Sequence, residues 1–207
     1  MPLYKSITPN SQTTVKIWKI TESYDDLFNA IKLKPENLNR VLGMKSELHQ
    51  RGFLSVRHLL MEFGYTDNDL FYDENGKPHL KDGKHISITH SFIFSAVVVS
   101  DNITGIDIEK QRDKITIIAH KFVEYEFEYL EEDVDYVKKL TAIWCVKESL
   151  YKLFATPGLS FKEHCLVIPF SIGDESTIAW INYKSRKFRY NINFLEFEGF
   201  TCAYALT

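Results

Sequence analysis

The chain has no apolar run near the ~20 residues that a membrane-spanning helix needs, and no low-complexity tract or long linker interrupts it. Cysteine is scarce: Cys145, Cys165 and Cys202 lie far apart and form no CxxC pair. An odd, dispersed set excludes a disulfide framework and a zinc site, and reads as reduced thiols. Neither sign of charge is in large excess. Twenty-five Lys and Arg stand against 28 Asp and Glu, a formal net charge of −3. Nothing global points to nucleic acid or an anionic membrane, although a local basic groove stays open. The opening MPLYKSITPN lacks a basic-then-apolar leader, so the expectation is a soluble, cytoplasmic protein. What is present is 44% hydrophobic residues over 207 positions. That is enough for a real core, in one large domain or two small ones.

Periodicity predicts an α+β chain. TTVKIWKI alternates as a first strand, and SYDDLFNAIKL has a Ser start signal with Leu27 and Ile31 at helical spacing. KSELHQRGFLSVRHLLMEFG reads as a longer helix with Leu48, Leu54, Leu59 and Leu60 on its apolar side and Gly64 as its stop. DENGKPHL is turn chemistry. KHISITH, IFSAVVVS and TGIDIEK are three β-rich runs on very short connections, which predicts an antiparallel meander. In that meander His90 and Glu109 would lie at one end of the sheet, two strand spacings or about 10 Å apart. A helical region, IAHKFVEYEFEYLEEDVDYVKKL, and the helix TAIWCVKESLYKLF follow, stopped by Pro157-Gly158. Four more strands close the chain: HCLVIPF, STIAWINYK, KFRYNINFLEF and FTCAYALT. Each half ends on an apolar strand, so a duplicated α+β unit is expected, with halves 1–102 and 103–207.

Two groups of residues carry chemistry. In GIDIEK, Asp107 and Glu109 are two apart on a strand and share a face. A wet strand face explains them, and so does a cation held between two anions that otherwise repel. Oxygen ligands in partial number suit Mg²⁺, which keeps waters and takes phosphate oxygens. In WCVKESLYK, Leu140, Ile143, Trp144, Leu150, Tyr151 and Phe154 form one helical face with Lys147 near its middle. Glu148 and Lys152 sit on the flank one turn apart. An i,i+4 pair and a snorkelling lysine account for these residues. Three carboxylates with several cations are also what a pyrophosphate site wants: a metal, neutralising lysines and a base.

GIDIEK followed downstream by WCVKESLYK resembles the two-part signature of the 4′-phosphopantetheinyl transferase superfamily. GKPHL, ISITHS and GLSF resemble its further elements, in order. The length resembles the surfactin-synthetase-activating type, which implies two similar halves in one chain, a pseudo-twofold, with the active site between them. The resemblance implies transfer of the 4′-phosphopantetheine arm from coenzyme A to a serine of an acyl or peptidyl carrier protein by a monomeric enzyme, releasing adenosine 3′,5′-bisphosphate. It implies Asp107, Glu109 and Glu148 as Mg²⁺ ligands, Glu148 as base, and Lys152 as the residue that neutralises or protonates the leaving phosphate. Lys77, Pro78, Thr89 and His90 resemble coenzyme A contacts, Lys147 is grouped with them, and Arg51, or failing it Arg40, is expected at the 3′-phosphate.

Departures are visible. Thr89 stands where the family has serine, and Ala155-Thr156-Pro157 replaces a basic or glycine-containing segment. The acidic run EYEFEYLEEDVD is expected as a solvated helix facing away. A coenzyme A-binding module without carrier modification is the alternative. A metal-dependent nuclease is disfavoured, because Lys110, adjacent to Glu109, points to the opposite strand face.

Overall fold

The computed structural model describes residues 3–207, and their elements sort into two units, Met1–Asn102 and Ile103–Thr207. In the first, β1 (Leu3–Asn10) is a mostly exposed strand beside β2 (Thr13–Lys19), whose Val15 and Ile17 are fully buried. Ser23 caps α1 (Tyr24–Asn29) in a capping box with Asp26, as its position before the helical spacing predicts. Next comes α2 (Pro35–Leu42), a helix that the hydrophobic pattern did not announce; Pro35 opens it, where its missing N–H is no loss. The long α3 (Glu47–Glu62) follows, and Gly64, at φ +84, turns the chain away from its end. A small hairpin of β3 (Leu70–Tyr72) and β4 (Pro78–Leu80) turns on Asp73, whose carboxylate accepts from the Asn75 and Lys77 amides. Last come β5 (His85–Ser91) and β6 (Phe94–Ser100), joined by a tight turn with Phe92 at positive φ. The sheet order is β1-β2-β6-β5, with α3 packed on it.

In the second unit, β7 (Thr104–Lys110) leads through α4 (Lys114–Ile118) and two 3-10 turns, Ala119–Lys121 and Tyr125–Glu128, to α5 (Tyr136–Phe154). The short α6 (Phe161–His164), β8 (Cys165–Val167), β9 (Ser176–Tyr183), β10 (Arg186–Phe197) and β11 (Phe200–Leu206) complete it. The order is β7-β11-β10-β9-β8, and α5 lies on β7 and β11. Two-residue turns with positive φ, Lys184-Ser185 and Glu198-Gly199, close the last two hairpins.

Each unit is thus a mixture of helices and one main antiparallel sheet, with four strands in the first and five in the second. The expected meander does not form. Strand β6 is paired along its length with β2 on one side and β5 on the other, so it has no free edge for β7. Strand β7 pairs instead with β11, Asp107 opposite Ala203 and Glu109 opposite Thr201. The 10 Å spacing between His90 and Glu109, which assumed one shared sheet, loses its basis.

The acidic run also differs from expectation. It is a 3-10 turn and coil rather than a helix, and Glu126 within it is fully buried. Its partner is Lys147, also fully buried on α5, at 2.8 Å. The Lys147 ammonium also donates to the Phe122 and Phe161 carbonyls, and Glu126 accepts from the Val167 amide. One ion pair therefore ties the loop, α5, the start of α6 and β8 together. Burial pulls the Lys147 ammonium below the ordinary lysine range, and the Glu126 carboxylate opposes that shift. Removing one member strands the other charge in the core. Glu126→Gln or Lys147→Met should each lose about 3–5 kcal/mol in urea unfolding, and the double variant Glu126→Leu/Lys147→Met should recover much of that loss.

Candidate functional site

Strand β7 and helix α5 run against each other, and the point of closest approach is Gly105. A methyl group there would overlap the Ser149 carbonyl and crowd the Leu153 amide. Ser149 is itself small and buried, its hydroxyl donating to the Cys145 and Ala203 carbonyls. Residues two apart on a strand share a face and advance about 6.8 Å, while four residues on a helix advance about 6.0 Å. The face that carries Gly105 toward α5 therefore also carries Asp107 and Glu109 toward it. The steps Trp144, Glu148 and Lys152 run alongside. This explains why glycine opens GIDIEK and why serine follows the glutamate in WCVKESLYK.

The resulting electrostatics are specific. Lys152 binds Asp107 Oδ1 at 2.8 Å and the Ile106 carbonyl at 3.0 Å. Burial first, then the Asp107 charge and to a smaller degree Glu109, together raise the Glu148 carboxyl to about 7, with Lys152 opposing them. So the structure brings Asp107, Glu109, Glu148 and Lys152 within electrostatic reach of one another. Among the described residues, however, no group of three or more His, Cys, Asp or Glu side chains is arranged to hold a metal ion. The donor chemistry, all carboxylate oxygen, suits a hard divalent cation; the placement does not form a ready three-ligand cage, and Lys152 already engages Asp107. Behind this face, Cys145 and Cys202 are fully buried, and burial raises both thiols far above the ordinary range. Neither is a nucleophile.

The remaining expected residues divide. Lys147 is spent inside the core and presents no surface to a ligand, unlike the coenzyme A contact expected of it. In the first unit the His90 ring rests against Gly52 of α3, where an added methyl would come within 2.7 Å of His90 Cδ2. Arg51 is the neighbour of Gly52, so Arg51 and His90 come to one corner of that unit. Arg51 reaches the Ile20 carbonyl at 3.3 Å, and its buried Nε has no hydrogen-bond partner among the described residues. Thr89 is buried on the face of β5 opposite to exposed His90. Lys77, next to Pro78 at the start of β4, is half-buried, and desolvation lowers its ammonium. Its charge acts on His85 at the other end of β5 from His90, about 17 Å along the strand. Arg40 is exposed and lies over the Phe53 ring. Sequence reasoning missed Gly52. Its signal was available: a glycine inside a long helical pattern asks for a close neighbour.

Two outcomes follow. Gly105→Ala should destabilise the second unit by at least about 1–3 kcal/mol, because the clash is with helix backbone that cannot swing aside. For Glu148, the folded chain holds the proton to about pH 7 and the unfolded chain to the ordinary 4.5. The folded state then binds the extra proton between these values, so stability falls as pH rises through that window and is flat above it. Glu148→Gln should raise the unfolding free energy by about 1–3 kcal/mol at pH 8, with the gain vanishing toward pH 4.5. Thermal melts at the two pH values check it.

Residues 103–205 match the family model described as the 4′-phosphopantetheinyl transferase superfamily. That range is nearly the whole second unit and carries Asp107, Glu109, Glu148 and Lys152. The match is consistent with membership of that superfamily and with a pantetheinyl-transfer type of activity. No curated protein matches the chain. No helix among the described residues is long and apolar enough to cross a membrane.

Proposed function

We propose that the chain belongs to the surfactin-synthetase-activating type of this superfamily and moves the 4′-phosphopantetheine arm of coenzyme A onto a serine of an apo acyl or peptidyl carrier protein. The observation that carries the reading is geometric: Lys152 pairs with Asp107 at 2.8 Å across the close Gly105–Ser149 contact, with Glu148 and Glu109 on the neighbouring steps of α5 and β7. In this reading the ionised Glu148 accepts the serine hydroxyl proton, directly or through water. The serine oxygen bonds to the phosphorus that carries the arm, and the bridging pyrophosphate bond breaks. Adenosine 3′,5′-bisphosphate leaves, and Lys152 neutralises or protonates its new phosphate oxygen. No covalent enzyme intermediate is needed, in keeping with the inert cysteines.

Asp107, Glu109 and Glu148 would hold Mg²⁺ in this reading, and the ion would supply positive charge to the pyrophosphate oxygens. The chain's own part is to place the three carboxylates on one strand–helix seam and to keep Lys152 on the same seam. Arg51 and His90, with Lys77 and Pro78, are proposed as coenzyme A contacts in the first unit. Coenzyme A and an apo carrier protein are the proposed partners of a cytoplasmic, monomeric enzyme.

The test is incubation with Mg²⁺, coenzyme A and a broad panel of apo carrier proteins, followed by intact mass. At least one carrier should gain the mass of one phosphopantetheine arm. Asp107→Asn should lose at least about a hundredfold in rate while keeping its circular dichroism spectrum. If no carrier gains mass although coenzyme A still protects the protein against heat, the transferase reading fails in favour of a coenzyme A-binding module.

A further inference from the structure

The hairpin of β3 and β4 is closed by one side chain. Tyr72 stands opposite Pro78, so Asp73 and Lys77 are the next pair toward the tip. The Asp73 amide donates to the Lys77 carbonyl at 3.0 Å, as a bonded antiparallel pair requires. Bonded pairs alternate, so the Tyr72–Pro78 position asks for no N–H and Pro78 is no loss there. The return bond from Lys77 takes another course. The Asp73 carbonyl accepts from the Gly76 amide instead, and the Lys77 amide donates to Asp73 Oδ1 at 2.9 Å. The same oxygen accepts from the Asn75 amide at 2.9 Å. The other oxygen, Oδ2, accepts from His79 Nε2 at 3.0 Å, and the His79 ring stacks on Phe71 across the hairpin.

Both oxygens of one carboxylate are thus occupied. These bonds hold the Asp73 carboxyl below the ordinary carboxylate range, the His79 bond most, so it stays ionised and keeps accepting at neutral pH. Without it, the Asn75 and Lys77 amides lose their acceptor. Gly76, at φ +80 with nothing packed against it, would then reach other conformations. Lys77 lies inside the clamped segment. Its ammonium is half-buried and within electrostatic reach of Asp73 and His85. A half-buried ammonium has few directions open to it, so its aim follows the backbone that carries it.

We propose that Asp73, closed by His79, is a positioning residue that fixes the Gly76-Lys77 turn in the conformation that aims Lys77 at coenzyme A. This rests on the coenzyme A contact proposed for Lys77 above, and it names the residues on which that contact depends. Asp73 does not touch the ligand. Its charge is taken up by the turn amides and His79, so the clamp brings the lysine to the phosphates without setting a bare anion against them.

The experiment is a double-mutant cycle on coenzyme A binding, read by calorimetry without carrier, for Asp73→Ala, Lys77→Ala and the pair, with transfer kinetics beside it. Asp73→Ala should raise the coenzyme A Kd and KM by about tenfold, the effect of loosening a preorganised contact. Its kcat and carrier KM should stay within about twofold of wild type. Asp73→Asn keeps the Oδ1 acceptor and should bind as wild type. His79→Ala, which releases only Oδ2, should give a smaller rise of about threefold. In the Lys77→Ala background Asp73→Ala should cost nothing further, because both act on one contact. Faster hydrogen exchange at the Lys77 amide in Asp73→Ala should report the opened turn. Additive losses in the cycle overturn the proposal, as does an unchanged Kd in either single alanine variant of the cycle. If the wild type binds coenzyme A and modifies no carrier, the cycle still decides the clamp while the transferase reading falls. If the wild type binds no coenzyme A, both fall.

Discussion

The contact between Gly105 and the Ser149 carbonyl sets the distance at which α5 lies on β7, and the site inherits its geometry from that distance. With the backbones this close, the two-residue step of a strand and the four-residue step of a helix nearly coincide. Asp107 and Glu109 then meet Glu148 and Lys152 because of where the elements are, with no loop to position them. Sites built on regular elements hold their side chains more firmly than sites on loops. The small residues at 105 and 149 are therefore as much a part of the site as the charged ones.

The same closeness makes the seam electrostatically uncomfortable. Three carboxylates share a partly buried strip with one lysine that is already committed to Asp107. The fold relieves the excess by letting Glu148 keep its proton toward neutrality. Such a group is poised: it changes charge with small changes of surroundings, which a purely structural carboxylate would not do. The interior behind the seam offers no competing chemistry, since its thiols are buried and hard to ionise. Local discomfort of this kind is common where a fold gives up stability for activity.

Much of this was legible before any coordinates. The closing strands of the second half, its WCVKESLYK helix, the Ser23 cap and the shared face of Asp107 and Glu109 all follow from period and capping chemistry. What was not legible was non-local. Short connections suggested that β7 would join β5 and β6, but β6 had already given one edge to β2, a strand some 80 residues earlier in the chain. Lys147 was visible as a misplaced cation on an apolar face. Its partner was hidden in an acidic stretch in which nothing local separates Glu126 from its neighbours, so the loop looked solvated. Thr89 and His90 were grouped through the family resemblance of ISITHS, but as neighbours on a strand they face opposite sides.

The Lys147–Glu126 pair also has a bearing on chain length. Glu126 lies between Phe122, whose carbonyl binds the same ammonium, and the exposed stretch from Glu131 to Val134. An insertion before residue 126 changes how much chain must fit between the end of β7 and a charge whose place in the core is fixed. An insertion within 131–134 only lengthens a solvated strap, and a longer surface loop adds little closure entropy. The buried pair thus acts as a pin that divides the connection from β7 to α5 into a part of fixed length and a part whose length the core does not constrain.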